Sequence, residues 1–191
     1  MPKNTHDVIV GLADYGTTGA VLVGDVITTI PATLDDAITA ITQFTGTGYV
    51  SEDGLTLTTE YDTTTVKEWN KSSVRTLLND FTGTVAFTLI QADYDGWCML
   101  VGAENVTKTT ANDVTNIHVK IGSHLPPRRA FAVKMKDSDD RAMLLLVPNG
   151  QVTSGLDVTF SAGDVVRLPI EVDCLDDGTG ESIHFYDKDE A

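Results

Sequence analysis

Residues 82–90, TGTVAFTLI, place the strongest constraint on what this chain can fold into. Val85, Phe87 and Leu89 alternate with Thr84, Ala86 and Thr88, and a period of two puts the two sets on opposite faces of a strand. Residues 72–80 alternate less cleanly, with Val74, Thr76 and Leu78 set against Arg75, Leu77 and Asn79, and predict a second strand. A third short piece, residues 64–69, carries Val66 and Trp69 as candidate anchors. The polar, threonine-rich run 55–71 reads as a long connection. Residues 48–92 thus read as a sheet-building unit with an overlong connection, and nothing in them has the spacing of a catalytic or phosphate-binding motif.

The rest of the chain extends this bias. Threonine alternates repeatedly with valine, leucine or isoleucine, which favours strands over helices. At 191 residues with 41% hydrophobic content, the chain is long enough to bury a core and fits one domain. The expected class is mainly β.

Charge separates this chain from several functional classes. Thirteen basic and 28 acidic residues give a net charge of −15, so a net basic surface for gripping nucleic acid is absent. The distribution is uneven. Lys120, Arg128, Arg129, Lys134, Lys136 and Arg141 gather in one stretch, whereas from Glu171 onward eight acids stand against Lys188 alone. Such polarity permits a contact between the tail of one chain and a neighbour. The N-terminus has no long apolar core after its lysine, and the apolar run 142–147 is too short to span a bilayer. Cys98 and Cys174 lack metal-ligand spacing and read as two buried thiols, consistent with synthesis in a reducing cytoplasm.

In chain order, residues 1–16 read as a polar arm and 19–24, GAVLVG, as a glycine-bounded strand. Leu34, Ala37, Ile38 and Ile41 have helical spacing after Thr33 as N-cap, although Pro31 makes an irregular loop an equal reading. The clearest helix runs from Asp93 or Asp95 as cap through Trp97, Leu100 and Val101 to Gly102, and should cover one side of the sheet. Residues 107–116 read as a polar loop. Strands follow at 117–121, 129–136 and 141–147, the last two joined by a tight acidic connection as an antiparallel hairpin. A turn is expected at 148–150, with strands at 156–160 and 165–172. Pro169 confines the last to an edge or an irregularity. A glycine-containing acidic turn at 176–181 precedes the short segment 183–186.

Enzymatic readings find little support. His6, His118, His124 and His184 are scattered, Ser123 beside His124 is no nucleophile elbow, and no glycine-rich phosphate loop is present. Asp137, Asp139 and Asp140 lack the rest of a calcium-loop pattern and read as a solvated turn. No catalytic residue, metal ligand or cofactor site is expected.

The order of features resembles the major tail tube proteins of long-tailed bacteriophages, of the type that infects actinobacteria. The resemblance rests on Gly19-Ala20-Val21, Pro31, Gly48-Tyr49-Val50-Ser51-Glu52-Asp53-Gly54, Trp69 followed by Val74-Arg75, strand 85–90, helix 97–102, Val147-Pro148-Asn149-Gly150 and the late strand pair. It spans residues 19–186. It implies a β-sandwich or barrel-like core with one flanking α-helix and extended loops or arms, the arms at about 1–16 and 174–191. It also implies a structural virion protein, assembled in the host cytoplasm, whose hexameric rings stack into a conduit for DNA ejection. The implied partners are other copies of itself, with tape measure, tail terminator and baseplate proteins. Phage DNA would pass without specific binding, and no membrane insertion is implied.

Under this resemblance the connection 55–71 becomes a subunit-interface loop, with Leu55, Thr58, Tyr61, Asp62, Val66, Lys67 and Trp69 as candidate contacts. Arg128, Arg129, Lys134 and Lys136 become candidate partners for Asp187, Asp189 and Glu190 of an adjacent subunit. Part of the acidic excess would line the bore and repel phosphates, although the sequence does not say which acids. A capsid decoration or receptor-binding module, or a small-ligand-binding β-barrel, are the other classes compatible with a mainly-β chain.

Overall fold

The computed structural model describes residues 9–14, 19–137 and 141–188. In chain order it contains β1 (Leu12–Ala13), β2 (Val21–Gly24), α1 (Leu34–Ala40), β3 (Thr45–Gly46), β4 (Val50–Lys67), β5 (Ser73–Leu89) and α2 (Tyr94–Val101). There follow β6 (Val106–Ala111), β7 (Val114–Val119), β8 (Arg129–Lys136), β9 (Ala142–Val152), β10 (Leu168–Cys174) and β11 (His184–Lys188). The fold is mainly β, as the alternating sequence requires.

Among the described residues nine strands form one antiparallel sheet in the order β3-β2-β8-β9-β10-β5-β4, with β1 also on β8 and β11 also on β9. A flat sheet would set β3 and β4 six inter-strand steps apart, about 29 Å at the usual spacing. Gly46 ends β3 and Val50 begins β4, and four residue steps span at most about 14 Å. The sheet therefore curls until its two ends nearly meet. The seam is held by Thr47, whose backbone N–H and hydroxyl both donate to the Val21 carbonyl, at 3.0 and 3.1 Å, and by the Ile90 N–H donating to the Tyr49 carbonyl at 3.0 Å. Gly19 bridges Gly48 across it. Gly19 has φ +103°, and a Cβ there would lie 2.5 Å from the Gly48 carbonyl oxygen, so the backbones approach as closely as they do only because no side chain intervenes.

Alternation along the strands sorts the core into two layers. Val21, Val23, Phe131, Val133, Leu145 and Val147 turn to the inside of the curl, where they meet Val85, Phe87, Leu89, Leu168, Ile170, Val172 and α2. The intervening residues Leu22, Ala132, Leu144 and Leu146 face the other way and are covered by Leu34, Ala37 and Ile41. Strands β8 and β9 are thus buried on both faces, which explains their continuous apolar runs. Among the described residues there are two α-helices, where the resemblance implied one. Each starts as its sequence dictates: Thr33 Oγ1 accepts from the Asp36 N–H at 3.2 Å, and Asp93 Oδ1 accepts from the Gly96 N–H at 2.9 Å. Trp97 is part-buried against the core, and Cys98 and Cys174 are buried free thiols.

Several expected elements differ. The supposed loop at 107–116 is the β6–β7 hairpin, turned by Asn112 and Asp113 at φ 51° and 62°. These are the residue types that tolerate the left-handed region. Residues 148–150 are no turn; β9 runs through Pro148 to Val152, with only an irregularity opposite β8. Residues 156–160 form no strand. Pro169 does lie within β10, but β9 pairs β10 only from Val172 to Cys174. The Glu171 N–H on that side already goes to Ser154 Oγ at 3.2 Å. By alternation the Pro169 nitrogen faces the same way, where no ladder bond is asked of it. Asp137 is not a solvated turn residue: it is buried and accepts the Val10 N–H at 3.0 Å. Asp139 and Asp140 lie outside the described residues, as do residues 1–8 of the N-terminal arm.

Candidate assembly surface

The connection 55–71 is no loop. Strands β4 and β5 pair antiparallel along nearly their whole length, and this moves every candidate interface residue. β10 covers β5 only as far as Gly83. Beyond the Thr59–Gly83 pair, β4 and β5 have only each other, and this ribbon reaches about 27 Å past the sheet at the usual rise per residue. A two-stranded hairpin alone is marginal in water. Its unpaired outer edges are templates for another chain.

The two faces of the ribbon differ. Leu55 and Leu57 pair with Phe87 and Val85 on the core face. The same face continues outward through Tyr61 opposite Phe81, with ring centroids 5.1 Å apart. A register shift between Asp62 and Thr63 leaves Asn79 as the extra residue. This bulge matters because Leu78 and Phe81 are three residues apart and would otherwise point to opposite faces. With the bulge, Leu78 pairs with Thr63 and joins Tyr61 and Phe81. The extra residue is fixed by its side chain: Asn79 Nδ2 donates to Thr64 Oγ1 at 2.7 Å. An apolar stripe therefore leaves the core and enters solvent, with Leu57 at 43%, Tyr61 at 64% and Leu78 at 60% exposure.

The opposite face carries Glu60, Asp62 and Asp80, with Asp62 directly across from Asp80, and beyond the bulge Leu77 and Val66. Like charges placed opposite one another destabilise a ribbon. At the tip, the Glu68 N–H donates to the Ser72 carbonyl at 3.0 Å and the Lys71 N–H to the Glu68 carbonyl at 2.8 Å. Lys71 takes φ 65° to close this turn. The turn holds Trp69 out at 101% exposure.

Of the candidate contacts, Leu55 is half-buried against its own core. Thr58, Tyr61, Asp62, Val66, Lys67 and Trp69 are exposed on the hairpin. Leu57, Leu78 and Phe81 share the face of Tyr61 but were not among the candidate contacts. The break in alternation between Leu78 and Phe81 was the signal that could have found them.

The basic stretch is divided. Lys134 and Lys136 lie on β8, while Arg128 and Arg129 precede it or begin it. Asp187 is satisfied within its own chain: Arg141 Nε donates to its Oδ1 at 2.6 Å, and a second guanidinium nitrogen reaches Oδ2. This holds the Asp187 carboxyl below the usual range. Lys188 Nζ lies 3.3 Å from Asp35 Oδ2, and the Tyr186 hydroxyl donates to the Pro31 carbonyl at 2.9 Å. Residues 184–188 are thus a strand docked on β9, and Asp189 and Glu190 lie outside the described residues. The turn before this strand is stapled by Asp177, whose enclosed carboxylate meets Thr179 Oγ1 at 2.7 Å and His184 Nε2 at 2.9 Å. The Thr179 hydroxyl is the main cause of its low pKa, about 2.

A second exposed region lies beside α2. Among the described residues the β6–β7 hairpin pairs only with itself, and Val114 and Ile117 on it, with Ile121 after it, are exposed. Lys108 Nζ sits 5.4 Å from the Tyr94 ring centroid. No three His, Cys, Asp or Glu side chains come together as a ligand set among the described residues, and no helix among them is long and apolar enough to cross a membrane.

The fold is mainly β, with a long β4–β5 ribbon that leaves the sheet and a separate β6–β7 hairpin. The sequence matches the phage tail tube protein family over residues 1–191, and the chain belongs to that family. It is accordingly a structural component of a bacteriophage virion, in the tail. No curated protein matches the sequence.

Proposed function

We propose that the chain closes into rings, six copies in each, that stack into the tail tube and conduct DNA during ejection. The observation that carries this reading is the apolar stripe Leu57–Tyr61–Phe81–Leu78, which continues the face of the core beyond the last strand covering it. A monomer leaves that stripe and two ribbon edges in water; a heterologous contact repeated around an axis buries both and closes when its rotation permits. The interface residues are Tyr61, Asp62, Val66, Lys67 and Trp69 on the ribbon, with Leu57, Leu78 and Phe81.

The charge of −15 suits a conduit, because acidic side chains turned to the bore repel phosphates and give no counterion-release gain. DNA then passes without specific binding. Tape measure, tail terminator and baseplate proteins meet the tube at its axis and ends, and assembly takes place in the host cytoplasm before the tail joins the virion.

Negative-stain microscopy of the purified protein tests this reading. Rings or tubes of uniform width are expected as concentration rises. A protein that stays monomeric at high concentration and low salt overturns it.

A further inference from the structure

We propose that the basic tip of the β4–β5 ribbon seats Trp69 in an acidic cleft at the root of the same ribbon on a second copy. The inference rests on the assembly reading above and names the two surfaces that meet. Residues 63–79 carry Lys67, Lys71 and Arg75 against Glu68 alone, a local excess of positive charge on a chain of −15. Val66 pairs with Arg75, so Lys67 and Arg75 stand on opposite faces of the ribbon, with Lys71 in the turn between. Positive charge thus surrounds Trp69. Among the described residues no carboxylate pairs with any of the three cations. Trp69 itself is fully exposed yet held by a closed turn, so little conformational freedom remains to be lost when it docks. Large, rigid aromatic side chains of this kind dominate contact energies once desolvated.

The root of the ribbon supplies the opposite charge. Glu171, Ala86 and Thr56 lie side by side on β10, β5 and β4, on the face turned away from the core. A cleft of about 460 Å³ opens there, bordered by Asp53, Asp157 and Glu171. That volume admits an indole, and Pro169 and Ala86 offer it apolar surface. Gly54 and Gly155 keep the cleft open, since a Cβ at either would meet nothing within 4 Å. No cation pairs with Asp157 or Glu171 among the described residues, and Arg167 stays 3.9 Å from Asp53, beyond hydrogen-bond distance. Three carboxylates therefore await the three cations of the tip, and this complementarity orients the docking.

One chain cannot make this contact with itself. Thr56 and Val66 are about 34 Å apart at the usual rise per residue, and pairing with β5 between them keeps the ribbon from doubling back. Tip and root are the two halves of a heterologous contact, in which each copy gives a tip and receives one. The other clefts fit less well. Lys120 and His124 line the one between 121–126 and 153–156, no acid does, and it repels the tip. Another encloses only about 150 Å³ and is bordered by Arg129. The roomy apolar cleft beside β1 offers Glu52 alone.

Interchain cross-linking tests the pairing directly. Asn70→Cys leaves Trp69 and the three cations intact, and Thr56→Cys lines the acidic cleft. The two variants, one carrying a mass tag, are mixed, assembled and oxidised, and should give a disulfide-linked heterodimer. Asn70→Cys mixed with Ser123→Cys, in the basic cleft, is the control and should give none. Tubes that form without the Asn70–Thr56 link, or with only the control link, overturn the docking site and leave the tube reading standing. Wild-type protein that forms no rings overturns the tube reading itself. In addition, Trp69→Ala should raise the concentration needed for assembly about 30-fold, as loss of a binding hot spot does. Lys71→Glu and Asp157→Lys should each weaken assembly without changing monomer stability, and the two combined in one chain should restore much of it. Assembly insensitive to Trp69→Ala and to both reversals, or a double variant no better than either single one, counts against the site.

Discussion

Strand β5 passes through two environments. Over residues 83–89 it lies between β10 and β4, and Val85, Phe87 and Leu89 are buried beneath α2. Over residues 73–82 the same strand has one neighbour, and Leu78 is 60% exposed where Leu89 is 0%. Both halves are β by alternation. Neighbours on the second edge and the second face separate them. The proximal half is held on both edges by its own chain, whereas the distal half, which the proposed assembly would cover, pairs with β4 alone among the described residues. Substitutions should therefore divide between those that unfold the domain and those that only stop it assembling.

The largest effect is expected at Leu89. Leu89→Ala empties a fully buried position and should cost about 2–5 kcal/mol, whereas Leu78→Ala, eleven residues earlier on the same strand, should change monomer stability by less than about 0.5 kcal/mol. Urea unfolding at a concentration below the assembly threshold measures both. Equal losses at the two positions would show that the distal ribbon is already packed in the monomer, and the comparison would fail.

A smaller effect belongs to the helix that roofs the proximal half. Asp93→Ala removes the acceptor for the Gly96 N–H and should cost about 1 kcal/mol, lowering the melting temperature by about 2–4 °C for a chain of this size. Asp93→Asn should recover most of it, because Asn caps nearly as well. No loss in the alanine variant would mean that α2 is held by packing alone.

Acid should act on the core side and spare the ribbon. Asp177 has a folded pKa of about 2, below the ordinary carboxylate value, so it binds protons less readily folded than unfolded. Its stabilising contribution is complete above about pH 4 and disappears as pH falls toward 2. Asp187 is lowered in the same direction by Arg141, so both carboxylate ties at β11 weaken together. Hydrogen exchange at the amides of 184–188 should accelerate over this window. Asp177→Asn should remove part of that pH dependence and leave exchange in the ribbon unchanged. Identical acid profiles for wild type and variant would detach Asp177 from the docking of β11.

The legibility of the fold follows the same division. Residues 129–136 were bounded correctly because Ala130 to Val133 are buried on both faces and form an uninterrupted apolar run. Thr33, and Asp93 of the two aspartates offered, mark the helix starts, since a cap is a local event, although the first helix had a loop as its alternative. The ribbon was legible only in part: 72–80 and the short piece 64–69 read as strands, but the rest of 55–67 did not. Its strand pairing is satisfied by backbone bonds between threonine-rich partners, and those side chains carry the composition of a loop. The bulge at Asn79 also broke the period of two on which strand recognition depends. The β6–β7 hairpin escaped for the first of these reasons, and β9 was cut short at Pro148–Asn149–Gly150, whose residue types usually mark a turn. Which of the candidate contact residues share a face depends on a register that no local pattern encodes.

The sharpest use of the comparison has the smallest effect on monomer stability. Deleting Asn79 removes the bulge but leaves Asp80 opposite Asp62 and Leu78 opposite Thr63, with Leu78 still on the face of Tyr61. Inserting one threonine between Asp62 and Thr63 also removes the bulge, because the new residue pairs with Asn79. It then turns Leu78 and everything beyond it to the acidic face. Both changes lie in a solvent-exposed ribbon, and each should alter monomer stability by less than about 0.5 kcal/mol. Their effects on assembly should diverge. The deletion alters the local bend and should reduce tube formation in part, whereas the insertion puts Asn79 where Leu78 stood and sets the next apolar residue on that face, Leu77, two pairs farther out, which should abolish it. Light scattering with microscopy on the two variants separates the possibilities. If the insertion assembles as well as the deletion, the orientation of Leu78 is irrelevant and the ribbon contributes only its edges. If the deletion fails as completely as the insertion, the bend at Asn79 aims the tip, and the bulge serves direction as well as facing.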